Sequence, residues 1–253
     1  MICPIKTSIG PTIAFSSNGI TSAWDKYCES SFLCNKYESQ FYIIQNDEFP
    51  TIEGRFLIAE AAYQASKLNF NKFVNQYREI NAIQIEYLKY IHQWLIDPLF
   101  KYDDKKWRSM LSIIRAKFTR TNLYVKLLET RDWFIINHSR LYRMKSLWSD
   151  GYNGCGYNWL GLILMIVREE IREKLKLEPT RWKTIIDNNV NMETGEFTEI
   201  WSSYVKSVAS DVNTFFTPMS MKCRRLGCPN VCNDDNEYCC EDCKYLPSYI
   251  YTV

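Results

Sequence analysis

The stretch AEAAYQASK, residues 59–67, carries a carboxylate, a phenol, an amide and an ammonium at Glu60, Tyr63, Gln64 and Lys67. If the segment is helical, offsets of three, four and seven residues put all four side chains on one face. Such a stripe can line a polar cleft, with the carboxylate as base or charge stabiliser; a solvated surface helix shows the same pattern. A second stretch, WSDGYNGCGYNWLG at 148–161, packs four glycines into fourteen residues and runs into an apolar segment. Gly151, Gly154 and Gly156 permit positive φ and close backbone approach, and Asn158 stands where a helix N-cap belongs. Exposed amides at a helix start attract phosphate. The loop therefore reads either as an anion cradle flanked by Trp148 for stacking and Asp150 as acceptor or base, or as a tight turn with an ordinary cap.

The other chemical signal lies near the C-terminus. CRRLGCPNVCNDDNEYCCEDC, residues 223–243, holds six cysteines in 21 residues. A C-x4-C pair followed by a C-x2-C pair suits tetrahedral thiolate zinc, with Cys223, Cys228, Cys240 and Cys243 as the ligand set and Cys232 and Cys239 as substitutes. A disulfide knot or free thiols are the other readings. A four-thiolate zinc would be structural, or would present an interaction patch to a protein partner. The chain has two histidines, so a His-rich catalytic metal site is not expected. His92 falls among Ile and Trp and reads as structural, whereas His138 has no assigned role.

These groups need elements to hold them. Residues 1–55 are irregular, with strand-like pieces in PTIAFSS and SQFYIIQ bounded by turn residues. Helical spacing begins at RFLIAEAAYQASKLNF and continues through Phe73, Tyr77, Ile80, Ile83, Tyr87 and Ile91 until Pro98 stops it. KWRSMLSIIRAKFTRT, NLYVKLLETR and NWLGLILMIVREEIREKLKL supply further helices, the last with Leu160, Ile163, Leu164, Val167 and Ile171 facing inward and Arg168 on another stripe. LEPTRW reads as a break, NNVNMETGEF as a turn and TEIWSSYVKSVASDVNTFF as an added helix. The expected fold is mainly α with a few short N-terminal strands. It divides into a body over 1–178, a helical extension or linker over 179–220 and a Cys-rich zinc-binding tail over 221–253.

Length and composition exclude little. The 253 residues are 46% hydrophobic and 24% charged, with 31 basic against 29 acidic side chains and so no overall field for polyanions or membranes. The longest apolar run, WLGLILMIV, is about half a membrane span. Pro and Gly interrupt the N-terminus, which therefore lacks the core of a signal peptide. An intracellular protein in a reducing cytoplasm, with no membrane partner, is expected.

Taken together, the two stretches of the opening paragraph resemble the NADAR superfamily, the YbiA-like proteins associated with NAD and ADP-ribose. Its pattern E-h-a-Y-Q-A-x-K-f is similar to Glu60, Tyr63, Gln64, Ala65 and Lys67. Its W-G-D-G-x-x-G-x-G-x-N-x-L-G-x-x-L-M-x-x-R is similar to Trp148, Asp150, Gly151, Gly154, Gly156, Asn158, Leu160, Gly161, Leu164, Met165 and Arg168. DPLFKYDDKKW and RAKF at 115–118 look like two further family segments, and the resemblance covers roughly residues 12–175. The chain departs from the pattern at Ala23, where the family has Asn, at Phe100 for its Arg, at Asn137 for a Glu, and at Lys145 for an acid three residues before the Trp. Glu53 in PTIEG is a rival for the family glutamate, with Glu60 preferred because YQASK follows it.

The resemblance implies a YbiA-like helical domain that cleaves ribosyl C–N bonds, in ribosylamino-pyrimidine phosphates or in ADP-ribose attached to guanine. It implies Glu60 as stabiliser or base of an oxocarbenium-like transition state, Asp150 as the second carboxylate and Lys67 as orienting or phosphate-contacting group. Tyr63, Gln64, Trp107, Trp148, Gly151, Asn158 and Arg168 would bind the ligand, a phosphorylated ribosyl or ADP-ribosyl group or a modified nucleic acid. No organic cofactor is implied. Lys145 in place of the acid leaves a second reading open, a protein that binds ADP-ribose-like ligands without hydrolysing them or serves in assembly.

Overall fold

The computed structural model describes residues 2–16, 22–44, 52–68, 71–139 and 145–216. The expected zinc ligands Cys223, Cys228, Cys240 and Cys243 lie outside the described residues, and so does Phe70. Among the described residues, no group of His, Cys, Asp or Glu could hold a metal ion, and no helix is long and apolar enough to cross a membrane.

A small mixed sheet sits at the centre. Strand β1 (Ile5–Thr7) pairs antiparallel with β2 (Gly10–Phe15), and β2 pairs parallel with β5 (Phe134–Asn137), giving the order β1-β2-β5. A second pair, β3 (Phe41–Ile43) with β4 (Gly54–Phe56), is antiparallel. The helices wrapping them are α1 (Ala23–Cys28), α2 (Ala59–Ala65), α3 (Asn71–Val74), α4 (Gln84–Ile91), α5 (Asp103–Lys117), α6 (Thr121–Glu129), α7 (Trp159–Lys174), α8 (Arg181–Asn189) and α9 (Glu199–Phe216). The mainly helical class expected from periodicity matches this arrangement, but β5, far from the N-terminus, was not anticipated.

Apolar sequence explains the centre. All four residues of β5 are buried, and α7, whose first eleven residues are all buried, lies across it. Gly161 permits that crossing, because a Cβ there would stand 2.3 Å from Ile135 O. The exposed edge of β5 is closed by the side chain of Asn158. Its Oδ1 accepts from Asn137 N at 2.8 Å and its Nδ2 donates to Ile135 O at 3.0 Å, so one amide substitutes for a neighbouring strand.

One expectation about elements is corrected. The long periodic stretch from Asn71 to Ile96 is broken into α3, a single turn at Asn75–Tyr77, α4 and another turn at Gln93–Leu95. Within it Ile83 and Tyr87 are 84% and 66% exposed, while Ile85 and Leu88 face the core. Residues after 178 are also part of the body's packing: Trp182 of α8 and Trp201, Val205 and Val212 of α9 are buried in the same core cluster as β5 and α7.

Candidate functional site

Glu60, Tyr63, Gln64 and Lys67 border a cavity of about 490 Å³, together with Trp148 from the glycine loop. Ser16, Asn35, Lys36, Glu86, Lys89, Met110, His138, Ser139, Ser146 and Ser149 complete its walls. The face inferred from helical spacing is thus the face turned to the cavity. Glu53 lies elsewhere, exposed beside β4 and within reach of Tyr42 Oη at 3.4 Å, whereas Glu60 borders the cavity.

Glu60 is held from two directions. Its backbone N–H donates to Asn35 O at 3.0 Å, and its Oε1 accepts from Gln64 Nε2 at 2.7 Å. The loop carrying Asn35 is in turn fixed by Lys117, the lysine of RAKF, which is fully buried. Lys117 Nζ donates to Phe32 O and Cys34 O, each at 2.8 Å, and burial drives its pKa down to about 8. Lys67 also stands on the cavity wall. Burial lowers its pKa to about 8, against the pull of Glu60, which favours the charged form, and Lys89 and Lys106 lower it further. Its Nζ lies 4.4 Å from the centre of the Tyr63 ring, a cation–π contact.

The aromatic wall is built edge to face. Trp148 meets Tyr63 at 5.2 Å and Trp159 at 5.7 Å, and Phe100, where the resemblance expects Arg, packs behind Tyr63 at 5.7 Å. Trp148 is half-buried and borders the cavity. On the opposite rim, Glu86 Oε1 accepts from Lys36 Nζ and Oε2 from Lys89 Nζ, both at 3.0 Å. Three lysines against two glutamates leave the cavity cationic.

Other expected site residues lie elsewhere. Asp150 has no exposure: Oδ1 accepts from Ser139 N at 2.8 Å and Tyr152 N at 2.9 Å, and Oδ2 meets His138 Nδ1 at 2.5 Å. It organises the cavity floor from behind. Gly151, at φ 69°, makes the turn beside it and does not border the cavity. Asn158 occupies the N-cap position of α7 at φ 51°, but its side chain makes no capping bond because it is committed to β5. The helix start is not an anion site either, since Trp159 N and Leu160 N donate to Leu147 O and Trp148 O. Trp107 is fully buried against Trp159, with its indole N–H on Met192 O at 2.8 Å. Arg168 is fully buried too, bonded to Thr130 Oγ1 and Trp133 O, and burial lowers its pKa to about 10. Lys145 is exposed and does not border the cavity, whereas Ser146 beside it does.

His138 is the residue that sequence reasoning left without a role. It follows β5, borders the cavity and lies with its ring between Trp24, at 4.6 Å, and Tyr152, at 5.7 Å. Its partners stand 12 and 75 residues away, so no local pattern signalled it. The serines of the floor are positioned similarly: Ser16 N donates to Asp25, whose carboxylate is shared with Ser22 in the capping box of α1. Burial raises the Asp25 pKa, with the Ser22 and Ser16 hydrogen bonds opposing it.

The fold and sequence both have relatives. The solution structure of the Escherichia coli protein YbiA superposes with a TM-score of 0.51 at 20% identity, over 71% of this chain and 94% of that one, which establishes a shared fold. A riboflavin biosynthesis protein of Vibrio vulnificus (strain YJ016) is 30% identical over 162 residues, 60% of this chain; the chain spans 37% of that relative's length. The profile of the NADAR domain matches residues 23–172, a segment that holds Glu60, Lys67, Trp148 and the glycine loop. With more than half of its length matched and the YbiA fold around the cavity, the chain belongs to the NADAR domain family.

Proposed function

We propose that this protein is an N-glycosidase that hydrolyses the ribosyl C–N bond of a phosphorylated ribosyl or ADP-ribosyl adduct. The observation that carries the reading is Glu60, a carboxylate on the wall of a cationic cavity, oriented by Gln64 and faced by an aromatic wall. Breaking a ribosyl C–N bond builds positive charge on the sugar, and a fixed carboxylate stabilises that charge and draws a proton from the attacking water. The leaving nitrogen needs a proton. Lys67, whose proton is held less firmly than that of an ordinary lysine, supplies it from the same cavity wall, just past the end of α2. Lys36 and Lys89 meet phosphate, and Trp148 with Tyr63 shields the base from water.

Ribosylamino-pyrimidine phosphates and ADP-ribosylated guanine both fit this scheme. The name of the Vibrio relative belongs to a protein of riboflavin synthesis, which supports the former as the first substrate to assay. Release of free base followed by mass spectrometry from each substrate, at equal enzyme, tests the reading. One observation favours a second reading, binding without turnover. Asp150, the other expected carboxylate, is sequestered, and Glu86 is bound by two lysines, so among the described residues of the cavity Glu60 has no free acidic partner. Tight ADP-ribose binding with no base released from either substrate would establish that reading instead.

A further inference from the structure

The floor of the cavity is fastened to a helix that lies beyond the matched family segment. That segment ends at residue 172, whereas α9 covers Glu199–Phe216. Asn213 of α9 bridges two parts of the site. Its Nδ2 donates to Tyr152 O at 2.8 Å, which leaves Oδ1 facing His138 Nε2 at 3.1 Å. Nε2 therefore donates to Asn213, and a proton lies between Nδ1 and the Asp150 carboxylate.

A second contact on the same face of α9, seven residues earlier, fixes the loop itself. A Cβ on Gly154 would stand 2.3 Å from Lys206 Cα, so the loop backbone rests directly on the helix backbone, at a residue with φ +80°. At its other side α9 holds the β1–β2 turn, with Asp211 Oδ2 accepting from Ser8 N at 2.7 Å. His138 has thus no rotational freedom: Asp150 and Asn213 take its nitrogens, and Trp24 and Tyr152 flank its ring.

We infer that Asn213 is a positioning residue of the site, acting through His138 to set the cavity floor formed by Ser139 and Ser149. The inference deepens the proposed function, since it takes the Glu60 cavity as the working site. The helical extension is then a working part of the glycosidase site, because α9 supplies the Nε2 acceptor of His138 and the backbone on which the glycine loop rests. Loss of the Nε2 acceptor frees the imidazole, and with it the Asp150 carboxylate that holds Ser139 N and Tyr152 N.

The test uses the full chain with Asn213→Leu and Asn213→Asp. Both lose the donor to Tyr152 O, but Asp keeps an acceptor for Nε2, so their difference isolates His138. The chain has two histidines, and His92, tied to Tyr77 Oη at 2.9 Å, is an internal reference for ¹⁵N spectra of the imidazoles. The expected result is that the Leu variant moves the His138 signals alone and lowers kcat about tenfold or more, while the Asp variant stays within about threefold of wild type. Should wild type release no base, the same ratios are read in ADP-ribose affinity, which separates failure of this inference from failure of the glycosidase reading. Unmoved His138 signals, or Leu and Asp variants that fall alike or not at all, would overturn it.

Discussion

Gln64 Nε2 donates to Glu60 Oε1 at 2.7 Å, one helical turn apart on α2 and both on the cavity wall. The bond fixes the carboxylate's orientation without neutralising it, which is what a stabiliser of developing positive charge requires. Gln64→Leu is expected to lower kcat about 10- to 100-fold with KM nearly unchanged, because misorientation acts mainly in the transition state. Steady-state kinetics of base release check this.

Lys67 predicts a pH dependence with a definite sign. Its proton is bound below about pH 8 and lost above it, so turnover that needs the ammonium falls as pH rises through 8. Lys67→Met should remove turnover. Lys67→Arg, whose guanidinium keeps its proton, should retain ligand affinity and still lose turnover. A pH–rate profile of wild type, with turnover and ligand affinity of the two variants, decides it.

Lys117 supplies a stability test. Its native pKa, about 8, lies below the ordinary lysine value of 10.5, so the unfolded chain binds more protons between these limits. Stability should therefore rise with pH as the native state sheds this proton. Lys67 adds a contribution of the same sign. The clean window is pH 8 to 9, since the Cys28 thiol, pushed up to about 12 by burial, opposes the trend once unfolded thiols ionise near 9. Urea midpoints should climb across this window in wild type and climb less in Lys117→Met. The variant should also lose turnover, because Phe32 O and Cys34 O then lack the donor that fixes the Asn35 loop beneath Glu60.

Asn158 separates architecture from ligand binding. Asn158→Leu removes the acceptor of Asn137 N and a donor to Ile135 O in the core, at about 1–3 kcal/mol each. A fall of about 2–5 kcal/mol in unfolding free energy is expected. At a temperature where the variant is folded, its ADP-ribose affinity should stay close to wild type. A large affinity loss without destabilisation would restore the anion-cradle reading of the loop.

Much of the site was legible because helical spacing is local. Glu60, Tyr63, Gln64 and Lys67 needed only the offsets of a helix to be placed together, and they do share the cavity. The glycine loop was legible as a tight turn but not in its purpose, since Asn158 and Asp150 are polar residues whose partners, β5 and His138, are distant in sequence. Trp107 and Arg168 show the opposite error. An indole and a guanidinium invite stacking and phosphate, yet each finds its hydrogen bonds inside the core, against Met192 O and against Thr130 and Trp133. The buried face of α4 was misread because Ile83, Tyr87 and Ile91 suit helical spacing as well as Ile85 and Leu88 do, and only packing chooses between them. Strand β5 was hidden because FIIN is too short to show alternation and is buried throughout.

The most direct measurement compares wild type with Glu60→Gln, each incubated with ribosylamino-pyrimidine phosphate and with ADP-ribosylated guanine DNA, following free base and ribosyl product by mass spectrometry. The account predicts base release by wild type from at least one substrate, and release reduced by about 100-fold or more in the variant at retained ligand affinity. Equal release by both proteins, or none by wild type, would contradict Glu60 as the group that makes this cavity a glycosidase site.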